Sequence, residues 1–330
     1  MQTTVINKKR NSFIEIINKF TNAMGVWFVV VLFFIILSLT TDTFLSYANL
    51  INVVRQICVN AMVALGAAYV ILGGEIDLST GNMCALTGCG AALLMVAGVN
   101  MWVAIVIVLI VGSLIGALTG VVITFLKIPS FIASLGMSYV ILGATLLLTN
   151  SEPISGLPAQ FMTFGRGYIA DVIPVPVIIL IVFFAFGAFF LKYTSFGRSV
   201  ISVGENPVAA RLSGIDVLTS KILIFAIGGF TASAAGIVLA SRLSSGQPMA
   251  GGDIGLTAIA AVFVGGTEKG SAMNVLAGAF VLGLVNNGLN LLEVNAYWQK
   301  VALGLIIILA VLLDQIRASR AVSVRKKANS

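Results

Sequence analysis

The sequence predicts an all-α polytopic membrane protein of about ten transmembrane helices, and three observations predict it. The 330 residues are 59% hydrophobic and 9% charged, with a mean hydropathy of +1.08. A soluble domain carries about 25% charged residues, so too little polar surface exists here to coat a water-soluble globule. Apolar runs recur at the roughly 20-residue length that a bilayer core asks of a helix. Lys and Arg gather on one side of those runs, as membrane topology requires.

Taken in order, the candidate spans are 24–41, 52–73, 80–98, 101–126, 131–149, 174–191, 220–241, 254–266, 272–290 and 297–314. The eighth is short, which points to a broken or incomplete crossing. The 34 Gly against 7 Pro suit closely packed membrane helices, where small residues let backbones approach. The expected division is a cytoplasmic tail at 1–23, a transmembrane domain at 24–315 and a second cytoplasmic tail at 316–330. No small-residue cleavage site follows the first apolar run, so it is not read as a signal peptide. With the N-terminus inside, 15 of the 19 Lys and Arg face the cytoplasm, and Arg55, Arg166, Arg242 and Lys300 face outward. Both termini and the loop at 192–219 are therefore expected in the cytoplasm.

Several function classes are excluded. The +7 net charge follows from topology and does not imply a nucleic-acid partner. The absence of His removes His-based catalysis, metal ligation and proton relays. Cys58, Cys84 and Cys89 fit no metal spacing and read as small apolar packers, and no metal or cofactor is expected. No Gly-x-x-x-x-Gly-Lys-Ser/Thr loop occurs, so this chain is not expected to hydrolyse ATP. Glu75, Asp77, Asp253, Glu268 and Glu293 map to span ends or loops. That placement argues against an ion-coupled secondary transporter, which uses ionisable groups at mid-membrane.

The most informative stretch is 196–215, a polar interruption between spans six and seven that spells a short helix. Asn206 can cap it, Pro207 suits its first position and Gly214 suits a left-handed stop. Glu205 and Arg211 complement the helix dipole. Such a helix is marginal alone and needs something to dock on, either its own membrane domain or a partner.

A second stretch is 73–81, Gly-Gly-Glu-Ile-Asp-Leu-Ser-Thr-Gly. Its carboxylates could serve acid–base or cation chemistry, but nothing oxygen-rich joins them. The favoured reading is a tight turn in which Asp77 or Ser79 caps the next helix. Residues 251–257, Gly-Gly-Asp-Ile-Gly-Leu-Thr, partly repeat this pattern on the opposite side, as two inverted halves would. Asn286, Asn287 and Asn290 cluster at the outer end of span nine, and Asn60 lies in span two. These amides either bond neighbouring helices or line a wet path for a polyol. The outer loop 150–173, punctuated by Pro and Gly, is either a connector with a short surface helix or a landing site for an outside protein.

Gly197-Arg198, Gly204-Glu205-Asn206 and Ala209-Ala210-Arg211-Leu212-Ser213-Gly214-Ile215 resemble the cytoplasmic coupling loop of sugar-type (ribose/xylose/galactose) ABC importer permeases. The segment with Gly74, Asp77, Ser79 and Gly81 resembles that family's Gly-Ile-Asp-Leu-Ser-x-Gly signature, with Glu75 where many members have Gly. Further likeness runs through Arg55–Thr87, Arg242–Pro248 and Ala258–Asn290. The turn Glu268-Lys269-Gly270-Ser271 is shorter than usual. The resemblance implies a type II-like permease fold in a bacterial inner membrane and import of a monosaccharide. The implied partners are a separate ABC ATPase subunit gripping Gly197, Arg198, Gly204–Pro207, Ala209–Leu212 and Gly214, a second permease copy or sister chain, an extracytoplasmic sugar-binding protein and membrane lipid. A branched-chain amino-acid permease of the same type is the nearest alternative, and a scaffold without transport is another.

Overall fold

The computed structural model describes residues 25–266 and 271–328, with side chains as far as Leu312. The tail ahead of them and the shortened turn at 267–270 lie outside the described residues. Among the described residues ten apolar helices follow the ten expected spans: α1 (Gly25–Thr40), α2 (Tyr47–Leu72), α3 (Thr80–Val96), α4 (Met101–Leu126), α5 (Ser130–Thr149), α7 (Val175–Tyr193), α10 (Val217–Leu243), α11 (Ile254–Gly265), α12 (Ala272–Leu291) and α13 (Ala296–Ala328). Six are long and apolar enough to cross a membrane by themselves; α1, α3, α11 and the apolar part of α13 are shorter.

Between them lie α6 (Thr163–Arg166), a two-stranded antiparallel hairpin of β1 (Tyr168–Ile169) and β2 (Ile173–Pro174), α8 (Ser195–Glu205) and α9 (Pro207–Leu212). The expected outer surface helix is thus a single turn followed by a hairpin.

The helix ends follow local chemistry. Ser46 caps α2 by accepting from the Asn49 N–H, and Asn100 caps α4 by accepting from the Trp102 N–H. Asp216 caps α10, accepting from both the hydroxyl and the N–H of Thr219. Those bonds hold its carboxyl below the ordinary carboxylate range. Lys127, Asn150 and Ser244 close α4, α5 and α10 in the left-handed region.

Two helices form the centre. From Ile57 to Val70 every residue of α2 is buried, and α10 is buried along most of its length. Small Ala, Gly and Val allow this close packing, while Leu223 and Phe230 remain exposed on one face of α10. α4 lies against α10 through Gly112, Gly116 and Gly120: a Cβ on Gly116 would stand 2.3 Å from the Phe225 carbonyl oxygen. The opposite face of α4 turns Trp102, Val106, Ile110, Leu114 and Leu118 outward, where only lipid tails make such exposure favourable.

Two expectations need correction. The loop at 192–219 is not one short helix but two, because Thr194 caps α8 by accepting from the Gly197 N–H. Pro207 then forces Asn206 into extended backbone (φ −158°, ψ 98°), which ends α8 and starts α9. α13 itself runs on to Ala328, past the expected start of the tail at 316, since no Gly or Pro interrupts residues 305–328. Asp77 does not sit at a membrane edge. The turn after α2 folds back into the bundle, and a Cβ on Gly228 in the interior of α10 would lie 3.6 Å from Asp77 Oδ2.

Candidate functional site

Two regions carry the candidate residues, one at the C-terminal end of α2 and one midway along it. The first is the α8–α9 corner. Asn206 Oδ1 accepts from the N–H groups of Val208 and Ala209, each at 3.0 Å, and Pro207 occupies the first helical position. Gly214 has φ +83°, which a side chain would resist, and the Ile215 N–H then bonds the Ala210 carbonyl at 3.0 Å. Ala210 turns inward onto Val203, Val217 and Ile215. Glu205, Asn206, Pro207, Ala209, Arg211, Leu212 and Gly214 face outward, as does Arg198. Val208 and Leu212 are 69% and 85% exposed, an apolar pair left uncovered on a two-turn helix. Gly197 is buried at the α7–α8 junction, where a Cβ would stand 2.1 Å from the Leu191 carbonyl oxygen.

The corner bears directly on the turn at 73–81. A Cβ on Gly204 would stand 1.9 Å from the Leu72 carbonyl oxygen, and one on Gly74 (φ +80°) 3.2 Å from Gly204 Cα. Glu75 forms an ion pair with Lys221 in the first turns of α10. The Ile76 N–H donates to Ser130 Oγ and its carbonyl accepts from Ser134 Oγ, both at 3.2 Å, which ties the turn to α5. Asp77 Oδ1 accepts from the Ser79 N–H at 2.8 Å and the Ser79 hydroxyl at 2.6 Å. Asp77 therefore braces the turn itself, while Ser79 precedes α3 without capping it.

The two partly repeated segments meet. A Cβ on Gly81 would stand 2.3 Å from the Gly251 carbonyl oxygen and 2.7 Å from the Gly255 nitrogen, and one on Gly251 would stand 2.2 Å from the Gly81 carbonyl oxygen. The first turns of α3 and α11 are thus in backbone contact inside the bundle. This contact is invisible to a search for repeats alone.

The second region is a polar pocket of about 290 Å³ beside the middle of α2. It brings together Asn60 from α2 and Asn286 and Asn290 from α12. Asn287 points elsewhere, exchanging side-chain hydrogen bonds of 2.7 and 3.2 Å with Asn49, and so ties α12 to α2. Sequence reasoning missed Gln56, Asp253, Thr257, Gln299 and Lys300, which complete the polar part of the lining. Gln56 stands one turn before Asn60, and that i, i+4 spacing was a usable signal. Asp253 and Lys300 lie 3.4 Å apart with most of each side chain accessible, and Gln299 donates to Asn290 Oδ1 at 3.2 Å. The pocket offers several amide donors and acceptors, with its two charges already opposed to each other. Asp253 lies one position beyond Gly252 and two beyond Gly251, so the pocket wall is continuous with the α3–α11 contact.

The profile of the family described as branched-chain amino acid transport system / permease component matches residues 49–311. The chain is 41% identical over 287 residues to the ribose import permease protein RbsC of Haemophilus influenzae, covering 84% of this chain and 88% of that one. It is 39% identical over 314 residues to the RbsC of Bacillus subtilis, covering 93% and 96%. Against the D-allose transport system permease protein AlsC of Escherichia coli it is 34% identical over 303 residues, covering 90% and 93%. No solved structure gives a significant match.

Proposed function

Because the chain belongs to the family of branched-chain amino acid transport system / permease components, we propose that it is the membrane subunit of an ATP-driven importer of a monosaccharide. The polar pocket is the observation that carries this reading. Amides from α2, α12 and α13 converge on a space that suits a ring of hydroxyls, each of which both donates and accepts. The similar ribose and allose permeases support the same substrate class.

The chain's own residues bind and move; they do no covalent chemistry. ATP hydrolysis belongs to a separate subunit that grips α9 from the cytoplasm. Val208 and Leu212 give it an apolar anchor, and Arg198 and Arg211 give it charge. Docking would supply the burial that so short a helix lacks alone. When the ATPase pair closes, α8 and α9 move as a unit. Gly204 leaves no compressible side chain between α8 and the turn at 73–81, so the push reaches α3 through Gly74 and Gly81. It then passes to Gly251 and Gly255 and shifts the Asp253 wall of the pocket. Both termini face the cytoplasm and the transmembrane domain spans 24–315. A second permease chain completes the pore, and a sugar-binding protein delivers substrate outside.

One observation favours a second reading. Asp253 and Lys300 could each take one end of a zwitterion, as a branched-chain amino acid importer would need. The two readings separate in vesicles that hold the permease with its ATPase and binding protein. ATP-dependent uptake of labelled ribose or allose, with no uptake of leucine, supports the sugar. Uptake of leucine alone refutes it.

A further inference from the structure

A second cavity, of about 600 Å³, lies between α7 and α10 over the C-terminal half of α2. Both helices pack on α2 and stand apart from each other there. Gly187 brings α7 down onto α2: a Cβ there would stand 2.8 Å from Leu65 Cδ2. Phe183 stacks on Phe230 with ring centres 5.8 Å apart and closes the end near the middle of both helices. Phe196 of α8 stacks on Tyr69 at 6.4 Å and floors the other end. The lining has two polar side chains, and both are spent inside the protein. The Tyr69 hydroxyl donates to the Gly187 carbonyl at 2.6 Å, and the Thr231 hydroxyl donates to the Gly228 carbonyl at 3.1 Å. The other lining side chains are aliphatic or aromatic, and Val182, Phe186, Phe190 and Leu223 on the rims are exposed.

Such a space asks nothing polar of an occupant, and an apolar one fits it. Its extent selects a chain. The lining covers 182–190 of α7 and 223–231 of α10, about 12 Å at 1.5 Å per residue, against the roughly 15 Å that one leaflet's hydrocarbon fills. Charge marks where the headgroup of that chain lies. Lys192 and Tyr193 end α7 just beyond Phe190, and the Lys192 ammonium lies 5.2 Å from the centre of the Tyr193 ring. Both are exposed, as anchors at a membrane–water boundary are. Among the described residues Lys192 forms no ion pair. An ammonium without a carboxylate, at the mouth of a hydrocarbon-lined pocket, answers a phosphate. We propose that this pocket is a phospholipid site: an acyl chain of the leaflet bordering α8 lies between α7 and α10, and its phosphate meets Lys192. The chain rests on Phe196, the second residue of α8. That this leaflet is the cytoplasmic one rests on the proposed function; the site itself does not.

The test uses the full chain in detergent, freed of lipid, with dioleoylphosphatidylglycerol as probe and native mass spectrometry to count bound molecules. One saturable lipid per chain is expected. Leu223→Trp, which fills the pocket, should lower its affinity about tenfold, while Leu114→Trp, an equal change on the exposed face of α4, should leave it unaltered. Lys192→Glu should weaken binding about fivefold or more, and Lys127→Glu at the exposed end of α4 should not. Dioleoylglycerol, which lacks the phosphate, should bind about fivefold more weakly than the phospholipid, and excess glycerophosphate should not displace the lipid. Unsaturable binding, or equal affinity for the parent and Leu223→Trp, overturns the proposal, because lipid would then only coat the bundle. So does an equal loss with Leu114→Trp or Lys127→Glu. If Leu223→Trp does not fold, the headgroup arms decide: unchanged affinity with Lys192→Glu, equal binding of dioleoylglycerol, or displacement by glycerophosphate each overturns it.

Discussion

The middle and the C-terminal end of α2 meet contrasting kinds of site. Midway along it, Gln56 and Asn60 contribute to a pocket assembled from four helices whose residues lie far apart in sequence. At its finish, the Leu72 carbonyl abuts Gly204, within a corner built from one continuous stretch. The pocket is soft chemistry: amides and an exposed ion pair that can exchange partners with a ligand. The corner is hard geometry: caps, a fixed turn and backbones in contact. A site that binds variable hydroxyls gains from spare donors. A site that transmits a push gains from having nothing left to compress. Separating the two also lets binding and coupling be altered independently.

The largest effect should come from the hard end. Gly204→Val places side-chain atoms against the Leu72 carbonyl and must displace either α8 or the 73–81 turn. Uptake should fall about a hundredfold or more, with the chain still inserted in the membrane. Measured uptake beside immunoblotted membranes checks this, and near-normal uptake breaks the contrast. Next comes Gly81→Ala, which lies behind the Asp253 wall and lines neither the pocket nor the α8–α9 corner, where one methyl group meets the Gly251 carbonyl. It should lower sugar moved per ATP hydrolysed about tenfold while ATPase pull-down stays normal. Equal falls in pull-down and uptake would mean the substitution only disrupts folding.

At the soft end, Asn290→Ala should raise the half-saturating sugar concentration about tenfold, because a substrate hydroxyl loses its partner. Asn287→Ala should instead cost about 1 kcal/mol of stability, through loss of its bonds to Asn49, with half-saturation unchanged. Uptake curves and thermal melts of the two variants separate path from glue. If both raise half-saturation alike, the division of these amides is wrong. The smallest effect is Asn206→Ala, a lost helix cap of about 1 kcal/mol that docking of the ATPase should largely mask. Hydrogen exchange at Val208 and Ala209, with and without the ATPase, reads it.

How much of this was legible in the sequence follows the same contrast. The corner was readable because its determinants are local. Asn206, Pro207 and Gly214 each act within a few residues, and all three occupy the turns their chemistry predicts. Even there, α8 was missed, because Gly197 and Gly204 look like breakers until close packing against Leu191 and Leu72 explains them. The ten apolar runs were readable because bilayer thickness sets a length scale. The pocket was only half readable. Amides in apolar spans stand out, but nothing local separates Asn286 from Asn287; only the facing helices decide that one lines the pocket and the other bonds Asn49. Asp253 reads as a span-end or loop charge and Lys300 as an outward-facing cation, and their partnership stays hidden because it crosses from one helix to another. Glu75 was read as a tolerated variation; its ion pair with Lys221 gives it a bracing role in this chain.

The central claim is that the corner and the pocket move together through residues 73–81 and the α3–α11 contact. It is tested most directly by placing a cysteine at Asn290 and timing its reaction with a membrane-impermeant maleimide added outside. The complex is compared before and after its ATPase is trapped closed with a non-hydrolysable nucleotide. Cys58, Cys84 and Cys89 are buried and should stay silent. The account predicts that closure changes the labelling rate about tenfold, and that Gly81→Ala removes most of that change while the nucleotide still binds. A rate indifferent to nucleotide, or a response that survives intact in Gly81→Ala, would contradict it.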